Sequence, residues 1–119
     1  MVFLLASLLV GCGRGRAIVG GYHLEQFHEN NKFYLHKNGV DDTKMGGSIL
    51  DGIVLKIGWN ERFIVAERHS FYRGDPDGWM IIDVRSGTSA GPFKQSELRA
   101  RAEVCGIEIL PVSEAWEKL

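Results

Sequence analysis

The chain has 119 residues, with 14 Lys and Arg against 15 Asp and Glu, a net charge of −1 with neutral histidines, and two cysteines. That balance leaves no basic surface to track a phosphate backbone, so no nucleic-acid partner is expected. With the first eleven residues set aside, about 108 remain, enough for one domain with a single modest core and too few for two.

The apolar run from Val2 to Val10 ends in Leu8-Leu9-Val10-Gly11-Cys12. A membrane-spanning helix needs about 20 apolar residues, and this run is half that before Gly11, Gly13, Arg14 and Arg16 end it. It has the size of the apolar region of a signal peptide, with small residues following where a peptidase can reach the backbone. The stretch resembles the lipobox of bacterial lipoproteins, in which a small residue precedes a cysteine that is diacylated on sulfur before the bond ahead of it is cut. That resemblance implies a signal peptide over residues 1–11, cleavage between Gly11 and Cys12, a lipidated Cys12 with a short tether over residues 12–17, and a single globular domain over residues 18–119. Each buried methylene contributes about 0.8 kcal/mol, so two or three acyl chains on Cys12 would hold the domain at the membrane firmly. Gly13 is not the aspartate associated with inner-membrane retention. The implied location is the cell envelope: the outer membrane in a Gram-negative host, the outer face of the plasma membrane in a Gram-positive one. No Lys or Arg precedes the apolar run, so either the natural start lies further upstream or the signal is a weak one. The competing reading is a soluble protein with an apolar N-terminal strand and an ordinary buried thiol at Cys12. Acylation would consume that cysteine and leave Cys105 alone, which rules out an internal disulfide framework.

In chain order, Ile18 to Phe27 reads as a first strand, with Tyr22 and Leu24 on one face and His23 and Glu25 on the other. The Gly20-Gly21 pair would allow a bend or bulge. His28 to Lys32 is a turn, because Asn30 and Asn31 tolerate positive φ, and Phe33 to Lys37 returns as a second strand with Phe33 and Leu35 inward. Asn38 to Gly52 reads as a loop. Ile53 to Trp59 and Arg62 to Arg68 form a hairpin that is apolar on both faces, which belongs in the middle of a sheet. His69 to Gly78 is a loop turned by Asp75-Pro76-Asp77-Gly78, and Trp79 to Val84 is the fifth strand. Ser86 to Pro92 reads as a connector. From about Lys94 to Cys105 the period becomes helical, with Leu98, Ala102 and Cys105 on one stripe and Gly106 ending the helix. Cys105 on that stripe is expected to be buried. Ile109 to Val112 is extended, and Ser113 would cap a last helical turn carrying Trp116 and Leu119. The expected architecture is α+β: an antiparallel meander of about five strands with a C-terminal helix packed on one face.

The run Ile57-Gly58-Trp59-Asn60, then Phe63-Ile64-Val65-Ala66, then Trp79 to Val84, then Gly91-Pro92 before a helix is similar to small bacterial lipoproteins grouped as domains of unknown function. The resemblance spans roughly residues 50 to 107. It implies a single propeller-blade-like sheet with a terminal helix and carries no catalytic residue.

Four histidines, His23, His28, His36 and His69, lie among acidic residues, and His23 and His36 could be neighbours on adjacent strands. No fixed His/Cys spacing accompanies them, so they read as exposed strand and loop histidines and no metal is assigned. Asp75 to Gly78 lacks the glutamate of a calcium loop at the twelfth position, where Ser86 stands. Arg73-Gly74-Asp75 is too short a motif to argue adhesion. Ser86 to Gly91 lacks the Gly-Lys-Ser/Thr ending of a phosphate cradle. No catalytic residue and no cofactor is assigned. The function expected is a non-catalytic binding or structural module of the envelope, taking a protein or cell-wall partner through aromatic loops around Trp59, Tyr72 and Trp79. The alternative is a small envelope hydrolase or enzyme inhibitor.

Overall fold

The computed structural model describes residues 15–27, 32–38, 52–70 and 77–119. Among these, β1 (Gly15–Ala17), β2 (Tyr22–Phe27) and β3 (Lys32–Lys37) form a three-stranded antiparallel sheet in sequence order. A second sheet contains β4 (Ile53–Trp59), β5 (Phe63–His69), β6 (Gly78–Asp83), β7 (Thr88–Phe93) and β8 (Leu110–Pro111), in the order β7-β6-β5-β4-β8. The described residues also hold two short helices, α1 (Gln95–Arg99) and α2 (Val112–Lys118), and a 3-10 turn at Ala102–Val104. No helix among the described residues is long and apolar enough to cross a membrane.

The α+β class and the antiparallel pairing agree with expectation, but the expected strands do not form one meander. They divide between two sheets because the apolar face of β2 and β3 has its own surface to cover. Tyr22, Leu24, Phe33 and Leu35 pack with Val54, Ile57, Ile64, Ala66, Met80 and Ile82 of the large sheet and with Ala115 and Trp116 of α2. The opposite face of the large sheet buries Val65, Trp79 and Ile81 under Leu98 of α1, with Val104, Ile107 and Ile109 packed alongside. The molecule therefore has three layers, with the large sheet in the middle. Ile64, Val65 and Ala66 are all fully buried although they alternate between faces, as both-face apolarity in a central strand requires. At about 1.5–3 kcal/mol for each large side chain buried, these contacts are the main favourable term in folding. Asn60 turns the β4–β5 hairpin by accepting the Arg62 and Phe63 amides at 2.9 and 2.7 Å.

Five local readings are corrected. Ile18 to Gly21 is a turn rather than strand: Ile18 N donates to Tyr22 O at 2.8 Å and Tyr22 N to Val19 O at 3.0 Å, with Gly20 and Gly21 at φ +61° and +85°, values that only glycine adopts readily in succession. Residues 15–17, expected in the tether, consequently pair with β2 as a strand. Thr88–Phe93, expected as connector, is the edge strand β7. An edge accommodates Pro92, whose missing N–H would break a central ladder, and the register shifts between Trp79 and Ile81 where Gly91 and Pro92 pass.

The helix expected to run to Cys105 stops at Arg99. Its stripe beyond Leu98 holds only the small Ala102 and Cys105, whereas Val104 and Ile107 reach the sheet once the chain leaves the helix. Arg101 turns extended, lays its guanidinium 4.6 Å from the centre of the Phe93 ring and binds Glu103 at 3.0 Å. Cys105 is thereby exposed rather than buried. The last helical turn expected at Trp116 is present as α2, entered at Pro111 rather than capped by Ser113, and it inserts Trp116 into the core between the sheets.

Candidate functional site

Alternation along β2 sends Tyr22 and Leu24 into the core and puts His23 and Glu25 on the other face. The β2–β3 register pairs His23 with His36 and Glu25 with Tyr34, so His23, Glu25 and His36 share that face. Their ring and carboxylate atoms converge: His23 Nε2 and Glu25 Oε2 lie 3.0 Å apart, and His36 Nε2 and Glu25 Oε1 3.8 Å apart. The two imidazoles stack with centroids 5.4 Å apart and planes inclined by 17°. One donor atom from each of the three residues falls within 4.8 Å of the others.

The surroundings are partly desolvated. The His36 side chain is 3 % exposed, those of His23 and Glu25 19 % and 24 %. The reading of these histidines as exposed is therefore wrong for His36 and His23. His69 is exposed, and His28 lies outside the described residues. His23 Nδ1 is buried without a hydrogen-bond partner. Room for this ring comes from β1. Gly15 stands opposite Glu25, and a Cβ at Gly15 would come within 2.7 Å of His23 Cδ2. Chemically the arrangement is a His-x-Glu pair on one strand with a cross-strand histidine: three ligands of the kind that hold first-row divalent ions. The sequence carried the signal in the alternation His23, Leu24, Glu25 and in the hairpin register. Gly15 left no trace in it.

A second carboxylate site clasps the ends of the β5–β6 connection. Asp77 accepts the Ser70 amide at 2.8 Å and meets His69 Nδ1 at 2.9 Å, and these bonds hold its carboxyl below the ordinary range, the Ser70 amide foremost. Arg73, Gly74 and Asp75 lie outside the described residues.

The aromatic surface expected around Trp59, Tyr72 and Trp79 does not form one patch. Trp79 is buried at 6 % exposure under α1, because its position on β6 points it to the α1 side of the sheet. Trp59 is partly buried on the opposite side, packed against the core between the sheets. Tyr72 lies outside the described residues, as do Gly11 and Cys12. Two open grooves lie on the surface of the described residues. One of about 440 Å³ runs past Trp79, Pro92, Phe93 and Glu97, and another of about 290 Å³ past Gln26, Phe33 and Trp116. No protein-family model matches this chain, and neither a curated protein nor a solved structure matches it.

Proposed function

We propose that this is a lipid-anchored protein of the bacterial cell envelope acting as a non-catalytic binding or structural module. The observation that carries the reading is the Leu8-Leu9-Val10-Gly11-Cys12 sequence at the end of a short apolar run, with residues 1–11 as signal peptide and acylated Cys12 as the first residue of the mature protein. Acyl chains on Cys12 supply the membrane affinity. The site of residence is the outer membrane in a Gram-negative host and the outer face of the plasma membrane in a Gram-positive one, and the partner is an envelope protein or cell-wall component. Open grooves at Trp79 and Trp116 suit a module that binds a partner surface better than an enzyme that encloses a small substrate. The β4–β7 part of the large sheet, four antiparallel strands in sequence order, is read as blade-like. Cys12→Ser is expected to leave the domain folded and to release it from membranes or stall its maturation. Fractionation of cells fed labelled fatty acid checks this. Label on the wild type and none on the variant is the expected result, while equal membrane recovery of both with no label on either overturns the anchor.

A further inference from the structure

We propose that His23, Glu25 and His36 bind one divalent transition-metal ion, of which Zn2+ is the reference probe. The inference is independent of the anchor, since it rests on the small sheet alone.

Three features carry it. The first is donor type and number: two imidazoles and a carboxylate match three-ligand zinc sites, which leave a further position for water or an exchangeable group. The second is spacing. Ligands at 2.0–2.1 Å around a tetrahedral ion are about 3.3 Å from one another. The contacts here are 3.0 and 3.8 Å, and all three donors lie within 4.8 Å. Closing them onto an ion asks for movements of about 1.5 Å or less, within the reach of side-chain torsions on a fixed backbone. The backbone is fixed, because β2 and β3 pair in continuous register from Tyr22 and Lys37 to Phe27 and Lys32, and their other face is locked into the core by Tyr22, Leu24, Phe33 and Leu35.

The third feature is the state of His23. Its Nδ1 is buried with no hydrogen-bond partner, so the ring carries a nitrogen that no protein group satisfies, and imidazole is the commonest metal ligand. Its Nε2 faces the Glu25 carboxylate at 3.0 Å, so a cation set between them would take both as ligands. The stacking of His23 on His36 holds two rings side by side, so that both can turn a nitrogen toward one point. Imidazole and carboxylate together suit Zn2+ and Cu2+ and disfavour Mg2+ and Ca2+, which prefer all-oxygen shells.

The test uses the full chain without an affinity tag, purified in detergent, stripped with chelator and titrated with Zn2+ by calorimetry. One ion per chain is expected, with a rise in thermal midpoint on binding. Glu25→Gln, near-isosteric and on a partly exposed side chain, should weaken binding by about 100-fold or more, as loss of one of three ligands does. His28→Gln with His69→Gln should leave it unchanged. Cu2+ added to the wild-type protein supplies a readout that needs no variant: its electron paramagnetic resonance spectrum should show coupling to two imidazole nitrogens, and His23→Gln should reduce this to one. Absence of stoichiometric Zn2+ binding, affinity untouched by Glu25→Gln, or a copper spectrum without two nitrogens would each overturn the site.

Discussion

The β2–β3 hairpin and the β5–β6 hairpin are built from the same kind of strand pair and differ in what they do with the second face. In β5 and β6, Ile64, Ala66 and Ile82 cover one side while Val65, Ile81 and Trp79 cover the other. Both sides are packed and the pair is scaffold. In β2 and β3, Tyr22, Leu24, Phe33 and Leu35 do the packing on one side only, and the opposite side carries His23, Glu25 and His36 in mutual contact. Titratable groups brought together on partly desolvated backbone cost stability that apolar residues there would supply. A strand pair that bears this cost is where chemistry should be sought.

The contrast can be broken most sharply within β3 and its partner strand. Leu35→Ala removes a fully buried side chain and should cost about 2–5 kcal/mol, whereas Glu25→Gln, facing the other way, should cost less than about 1 kcal/mol. Denaturant melts of the two variants check this. Similar losses would mean that the two faces of the small sheet bear load alike.

A smaller effect is expected at Gly15. Gly15→Val adds a side chain where even a Cβ meets the His23 ring, so Zn2+ affinity should fall about 10-fold, as displacement of supporting groups around a metal does. The melting midpoint should hold or rise slightly, because valine favours strands. Paired calorimetry and thermal melts separate the two. Unchanged affinity would place the His23 ring elsewhere during binding.

The smallest effect belongs to the scaffold side. The Arg62 guanidinium, 3.1 Å away, together with the Arg85 and Ser86 amides, holds the Asp83 carboxyl below its ordinary value of 3.8. A carboxylate depressed in the folded state adds stability that is complete above the unfolded value and is lost as pH falls through the folded one. Stability should therefore decline below about pH 3.8 partly through Asp83, and Asp83→Asn should flatten that limb without changing metal binding. Melts between pH 2 and 6 measure it. Because the group is exposed to solvent screening, the change should be small.

These faces were legible in the sequence wherever period two was clean. Tyr22 and Leu24 against His23 and Glu25 could be assigned residue by residue, and so could the buried centre at Ile64 to Ala66. What could not be read was long-range. Nothing local tells Lys37 that the strand beginning at Ile53 belongs to another sheet, because that choice depends on which apolar face covers which. The β7 strand was hidden by its composition, since Thr88 to Phe93 has the residues of a loop and is a strand only because β6 offers an edge. The α1 stripe misled at Cys105, where helical spacing was present but the side chains were too small to reward continuing the helix. Ile57 and Leu98, both apolar and in phase with their own elements, lie on opposite sides of the large sheet, a distinction that exists only once the layers are assembled. Of the metal-binding cluster, the cross-strand neighbours His23 and His36 were legible from the hairpin alone. The convergence of Glu25 on them was not, because it depends on rotamers and on the space left by a glycine in a strand that looked like linker.

The pairing of β1 with β2 has a consequence for how the molecule would sit. Strand β1 runs from Gly15, three residues beyond Cys12 in the sequence. Three steps of about 3.6 Å each reach roughly 11 Å, little more than the depth of a headgroup layer. With Cys12 acylated, the small sheet would ride on the lipid surface in a restricted orientation, unable to sweep the space above it. Gly15 is also the residue beside Glu25 and His23, so ions condensed at an anionic leaflet would meet the histidine cluster within about one Debye length. Partners would have to come to the membrane plane or diffuse within it, and capture would be governed by a two-dimensional search.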